Sequence, residues 1–239
     1  MRIVTWNLER GFHGRTCVSE HQHVRLADCH ADIVVLTEVP TPMSTAREGI
    51  ALSPVRREGR LGMEAWVSIV ADRCRPIGPE LPFERLAAAA ETLVEEERFL
   101  VYGSVLPWLN AIHQAPYLAR RDESPIDLFA RVLREQVNDI EGMRSQLPDH
   151  TLIWAGDFNQ TLSGPNYGGS RRGRQLLAEA LAELDLVAWN QESAHAKPTM
   201  HAIDLICGPS GRRPRRVERF EPRVDGRVLS DHAGYLVEV

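Results

Sequence analysis

"TLIWAGDFN", Thr151 to Asn159, is the stretch whose reading decides the fold. Thr151 to Ala155 are apolar or β-branched apart from their register, as in a strand buried on both faces, and the run then ends in Gly156, Asp157, Phe158 and Asn159. A core strand that surfaces in a carboxylate and a carboxamide places polar groups where loops meet a cleft. Alternate residues of an extended segment face one side, so Asp157 and Asn159 are expected to address the same ligand.

Other runs of this kind lie on both sides: "RIVTW" at the start, "DIVVLTE" at 32 to 38, "AWVSIV" at 65 to 70, "FLVYGSVL" at 99 to 106, "AIDLIC" at 202 to 207 and "AGYLVEV" at the end. Between them the period changes. Ile126, Phe129, Leu133, Val137 and Ile140 recur at threes and fours behind Pro125, which predicts an amphipathic helix over 125 to 147. Leu177, Ala180, Leu181 and Leu184 predict a second over 171 to 186, and the alanine run with Glu91, Glu95, Glu96 and Glu97 predicts a third over 83 to 98. With 239 residues, no fixed-period repeat and no linker-like break in composition, one layered domain over residues 1 to 239 is expected.

The strand ends share a character. Asn7 closes the first, Glu38 the second and Asp157 with Asn159 the central one, while Asp204 opens another and Asp231 with His232 precede the last. Such oxygen-rich sets suit hard cations, so Mg²⁺ or Mn²⁺ is the expected cofactor. A cation among them can neutralise phosphate charge while a carboxylate and an imidazole orient water, which is the chemistry of phosphoester hydrolysis.

Taken in order, Trp6-Asn7, "DIVVLTE" with Glu38, Gly156-Asp157-Phe158-Asn159, Ile203-Asp204 and Ser230-Asp231-His232 resemble the endonuclease/exonuclease/phosphatase superfamily, which includes pancreatic deoxyribonuclease and the apurinic endonucleases. The resemblance runs from residue 6 to residue 232. It implies an α+β fold of the deoxyribonuclease type, a four-layer α/β/β/α sandwich of two mixed central sheets flanked by helices. It also implies roles: Glu38 as principal metal ligand with Asn7 and Asp231 beside it, Asp157 acting on the attacking water, Asn159 holding the phosphate, and His232 contacting a phosphate oxygen with Asp204 fixing its tautomer. The implied reaction is in-line attack by water on a phosphodiester, with DNA or RNA as the leading substrate class. The pattern departs from the family at one point: where members place a His or Tyr that faces the phosphate, alignment on Pro107 puts Val105, and Tyr102, Trp108, Asn110 and His113 are the nearby candidates to replace it.

Arg171, Arg172 and Arg174 follow the Asp157 motif, and Arg212, Arg213, Arg215, Arg216 and Arg219 follow the Asp204 strand; both runs are candidate phosphate-contacting rims, against the plain alternative of solvated surface charge. Trp108, Tyr167 and Trp189 read as core or cleft wall in preference to base-stacking platforms. Cys17, His21, His23, Cys29 and His30 are metal-capable residue types at a spacing that matches no familiar zinc finger, and no cysteine pairing predicts a disulfide. The net charge of -5 argues against binding nucleic acid by overall charge and leaves room for a local basic site. No run reaches transmembrane length and the N-terminus lacks a signal-peptide core, so a cytoplasmic protein without membrane insertion is expected, and no protein partner is legible. Two alternatives stay open: an enzyme of the same fold acting on a small or lipid-linked phosphate, and a catalytically silent phosphate-binding module.

Overall fold

The Val/Ile-rich run at the N-terminus forms β1 (Arg2–Asn7), which lies parallel to β2 (Ile33–Pro40) at the centre of a six-stranded sheet. The computed structural model describes residues 1–9, 16–40, 50–53, 63–77, 81–166, 168–197 and 199–239. β3 (Ile50–Leu52), β4 (Met63–Ala71), β11 (Arg216–Phe220) and β14 (Gly234–Glu238) complete this sheet in the order β11-β14-β1-β2-β4-β3. The second sheet runs β5-β6-β7-β8-β10-β9, built from β5 (Arg75–Pro76), β6 (Ala87–Val94), β7 (Glu97–Val105), β8 (Thr151–Asp157), β9 (Leu186–Ala188) and β10 (Asp204–Pro209). A short ribbon, β12 (Arg223–Val224) with β13 (Arg227–Val228), stands apart.

The inner faces of the two sheets meet through Ile3, Val35, Val67 and Ile69 on one side and Val101, Ile153 and Ile206 on the other, all fully buried. The approach is close at Gly103, where an added Cβ would lie 2.6 Å from Val67 Cγ1 and 3.0 Å from Val35 Cγ1. Helix α1 (Thr16–Ala27) covers the outer face of the first sheet, with Val18 and Leu26 against Val4, Trp6 and Leu36. A short turn of helix, α2 (Ala111–Gln114), precedes α3 (Pro125–Gln146) and α4 (Arg171–Glu183), and these two long helices belong to the second sheet's side, packing against one another. The predicted α/β/β/α sandwich is the observed one.

Helix α3 follows the predicted period: Leu128, Phe129, Val132, Leu133, Val137 and Ile140 are buried, Pro125 occupies the first turn, and the Ser124 hydroxyl accepts the Asp127 N–H. Such a cap contributes about 1 kcal/mol. The helix predicted over 83–98 is a correction. Only Phe83–Arg85 is helical, as one 3₁₀ turn, and Ala87–Val94 is β6, paired along its length with β7. Alanine's helical preference is small per residue and is overridden where a strand is needed between two packed layers. Ala87, Ala88, Ala89 and Ala90 are all buried, and small side chains let the layers close over them.

Candidate active site

The strand directions bring the polar termini to one edge. β1, β2, β7 and β8 all end there, β10 begins there because it runs antiparallel to β8 in the register Asp204↔Asp157, and β14 begins there opposite β1. Asn7, Glu38, Asp157, Asp204, Asp231 and His232 therefore arrive from both sheets at one end of the sandwich.

Asp157 lies at the centre, 2% exposed. Asn7 Nδ2 donates to its Oδ2 at 3.0 Å and approaches Glu38 Oε1 at 3.4 Å, bridging the two carboxylates. Asn159 N donates to the other oxygen, Oδ1, at 2.9 Å. This last contact corrects the expectation that Asp157 and Asn159 share a face through strand alternation. β8 ends at Asp157, and Asn159 has φ 50, the left-handed region that asparagine tolerates better than most residues. The turn delivers the Asn159 backbone N–H to Asp157, while its side-chain Nδ2 donates to Leu106 O at 2.9 Å. Gly156 makes the turn possible: its φ is 138, and a Cβ would lie 2.0 Å from Ser104 O.

Burial, followed by the neighbouring Asp204 and Glu38 carboxylates, raises the Asp157 carboxyl to about 7 against the opposing pull of His232 and the Asn159 N–H. On the other side, His232 Nδ1 meets Asp204 Oδ2 at 2.7 Å. Burial works against the His232 imidazolium, but Asp204 outweighs it and its pKa stands well above the ordinary histidine value. Asp231 is more open, its Oδ1 lying 3.6 Å from His232 Nε2. The loop that carries them is pinned: Ser230 Oγ donates to Asn7 O, His232 N donates to Ser230 Oγ, and Trp6 Nε1 donates to His232 O at 3.0 Å.

Two residues at this edge were missed in the sequence. Glu9 has φ 47, donates its N–H to Asn7 Oδ1 at 2.8 Å and accepts the Asp231 N–H on Oε2 at 3.1 Å, adding a carboxylate to the rim. The spacing Asn7-x-Glu9 was a signal for it. His195 is 3% exposed and packs edge-to-face on His232 with ring centroids 5.3 Å apart. It lies in an irregular segment held by the Ala194↔His201 bridge, so no strand pattern pointed to it.

Glu38, Asn7, Asp231 and Glu9 bring oxygen donors to this edge, Glu38 beside the Asn7 amide and Glu9 linking Asn7 to the Asp231 N–H, and donors of this type suit a divalent cation of the Mg²⁺ kind. His195, Asp204 and His232 also bring potential ligand atoms within 4.8 Å of one another. Protons already occupy that second group: His195 Nδ1 accepts the Lys197 N–H at 3.0 Å, which leaves the neutral ring's proton on Nε2, and His232 Nδ1 bonds Asp204. By type the oxygen donors suit a hard cation, whereas among the described residues it is the His195, Asp204 and His232 atoms that converge.

Val105 is buried and pairs with Asp157 in register, so β7 offers no polar side chain at that point. Tyr102 turns the other way and its hydroxyl meets Asp139 at 3.4 Å. Trp108 packs on Trp66 with centroids 5.9 Å apart and donates Nε1 to Gln114, as a wall would. Arg174 spans the loop after β8, bonding Thr161 Oγ1 and the carbonyls of Ser163, Gly164 and Asn166, which is a staple's position. Arg171 and Arg172 are exposed in the first turn of α4. The second arginine run divides: Arg212 pairs with Glu97 at the opposite end of the sheets, whereas Arg219 reaches Glu221 and His195 O. Tyr167 and the Cys17 side chain lie outside the described residues; Cys29, Cys74 and Cys207 are free thiols.

Two packed mixed sheets thus carry a buried carboxylate, an Asp–His pair and an acidic rim at one edge. The chain belongs to the Endonuclease/Exonuclease/phosphatase family, which matches residues 4–232. The fold is shared with the 3'-5' exonuclease NExo from Neisseria meningitidis, 20% identical over 100% of this chain and 99% of that one with a TM-score of 0.67. It is shared also with the AP endonuclease LMAP from Leishmania major, at 14% identity over 99% and 86% of the two chains and a TM-score of 0.65. The endonuclease domain of TRAS1, a telomere-specific non-LTR retrotransposon, is 15% identical over 100% and 97% with a TM-score of 0.62. No curated protein matches the sequence. At these identities the likeness to solved structures is one of fold. No helix among the described residues is long and apolar enough to cross a membrane.

Proposed function

We propose that the chain is a divalent-cation-dependent phosphodiesterase acting on nucleic acid, with the water handled by Asp157 and the phosphate by His232 and Asn159. One observation carries the reading: Asp157 is buried between the Asn7–Glu38 pair and the Asp204–His232 pair, so the two halves of a hydrolytic site meet at one carboxylate. Glu38, Asn7 and Asp231 would hold Mg²⁺ or Mn²⁺, with Glu9 supporting them. The cation supplies charge neutralisation for the phosphate and for the departing oxygen.

Asp157, held by N–H donors on both oxygens, keeps one geometry, and a carboxyl raised to about 7 accepts a water proton readily near neutral pH. The water oxygen bonds to phosphorus as the opposite P–O ester bond breaks, and the water's proton passes to Asp157. His232, held as imidazolium by Asp204, presents Nε2–H to a phosphate oxygen. Arg171 and Arg172 are the exposed cations after the Asp157 motif and would contact neighbouring phosphates.

The acidic net charge of -5 and the apolar Val105 favour a second reading, a small or lipid-linked phosphate substrate. Plasmid, single-stranded, duplex and abasic DNA, RNA and phosphorylated small molecules, each with Mg²⁺, Mn²⁺ or EDTA and with Asp157→Asn as control, separate the two. Cation-dependent cleavage of a nucleic acid that the variant lacks supports the first. Turnover confined to small phosphates overturns it in favour of the second, and silence on every substrate removes both.

A further inference from the structure

Two buried polar atoms at the back of the site lack partners, and their hydrogen-bonding senses are complementary. Asp204 gives Oδ2 to His232, while its Oδ1 is buried without a hydrogen bond. His195 receives the Lys197 N–H on Nδ1, while its Nε2 is buried without a partner. With Nδ1 acting as acceptor, the neutral ring must carry its proton on Nε2. The unpaired carboxylate oxygen requires a donor, and the unpaired imidazole nitrogen is one. Both residues belong to the cluster whose ligand-capable atoms fall within 4.8 Å.

We infer that His195 is a positioning residue that donates Nε2–H to Asp204 Oδ1, directly or through one water, and so completes a His232–Asp204–His195 chain. This rests on the reading of His232 as the phosphate-facing group. A carboxylate held through one oxygen can swing about its Cβ–Cγ bond; held through both, it fixes the plane that His232 Nδ1 must meet. His232 then keeps Nε2 toward the open side, where its side chain is 13% exposed. The backbone supports the same geometry: His195 N donates to Met200 O, Arg219 reaches His195 O, and Tyr235 Oη donates to Ala194 O. Outer partners of this kind set the tautomer and direction of a working imidazole. The plain alternative is that the His195 ring fills space against His232.

Two substitutions separate these readings because they exchange shape for chemistry. His195→Phe keeps a flat ring and removes the N–H; His195→Gln keeps an N–H donor near the Nε2 position and removes the ring. The inference expects His195→Phe to lower kcat by about tenfold with KM nearly unchanged, and His195→Gln to restore most of the loss. A space-filling ring expects the reverse, and full activity of His195→Phe overturns the inference. Ring-nitrogen NMR of the intact chain gives an answer that does not depend on turnover. The inference expects His195 with a slowly exchanging Nε2–H and His232 protonated on Nδ1; an Nδ1–H tautomer at His195 overturns it. If the wild-type chain hydrolyses no phosphoester, the functional reading fails while the NMR result still decides the hydrogen bond.

Discussion

At one end of the two sheets, Asn7, Asp157 and Asp204 are 1%, 2% and 0% exposed; at the other, Glu97 and Arg212 form an ion pair in which each side chain keeps 39% of its exposure. The same kinds of group serve opposite ends. Glu97 has its charge answered by the Arg212 guanidinium and by the Thr151 hydroxyl. Asp157 has amide donors, while the nearby His232 imidazolium that draws on its charge is itself bound to Asp204. Burying carboxylates together costs stability, and a fold retains such an arrangement where a ligand cation or a reaction uses it. The difference teaches that residue type alone does not mark the site; the environment that the strand ends create does.

The largest expected effect comes from the buried end. Asp157→Asn should lower turnover by about a thousandfold or more while leaving thermal stability equal or higher, because it removes a carboxylate that burial already disfavours. His232→Ala should cost about a hundredfold or more on the same substrate. Loss of activity accompanied by unfolding in both would mean that these groups support the fold, and the contrast between the two ends would collapse. Glu38→Gln should act next, raising the Mg²⁺ concentration for half-maximal rate by about tenfold, because one formal charge leaves the oxygen set while Asn7 and Asp231 remain. An unchanged cation titration would move the metal away from Glu38.

How much of this was legible follows from the same contrast. The strand ends were readable because apolar runs terminate visibly in Asn7, Glu38 and Asp157, and because the order of motifs fixes their partners. The alanine strand β6 was not readable, since four alanines carry a helical preference that only the packing of two layers overrides. Glu9 and His195 were missed for another reason: each is placed by backbone geometry outside regular strands, Glu9 by a left-handed φ of 47 and His195 by an isolated bridge. The arginines were legible as charges but not as positions, since β10 runs the length of the sheet from Asp204 and carries Arg212 to the far end.

A smaller effect concerns acid. Burial first, and then the nearby His232 and Lys197, push His195 down to about 4 from 6.5, with Asp204 and Asp231 opposing. Its folded pKa therefore lies below its unfolded one, and between these values the unfolded chain binds more protons. The stabilising contribution is complete above about 6.5 and is lost as the pH falls toward about 4. Urea midpoints at a series of pH values for the wild type and His195→Gln should diverge in that window, the wild type losing stability faster on the acid side. Parallel curves would show that His195 titrates as an ordinary exposed histidine does and is not held neutral.

The smallest effect is expected at the far end. Arg212→Ala removes the guanidinium that meets Glu97 Oε1 at 2.5 Å and Oε2 at 3.0 Å, a two-point contact that on distance alone looks strong. Both partners are more than a third exposed, so water screens the charge and receives Glu97 when Arg212 goes, and Thr151 continues to donate to the same carboxylate at 2.6 Å. Exposed pairs of this kind contribute about 0 to 1 kcal/mol. A denaturation midpoint within that range, with unchanged turnover on the substrate that Asp157→Asn abolishes, keeps the two ends independent. A fall in turnover would show that the Arg212 end communicates with the strand termini along β10, and the active edge would then extend through the length of the sheet.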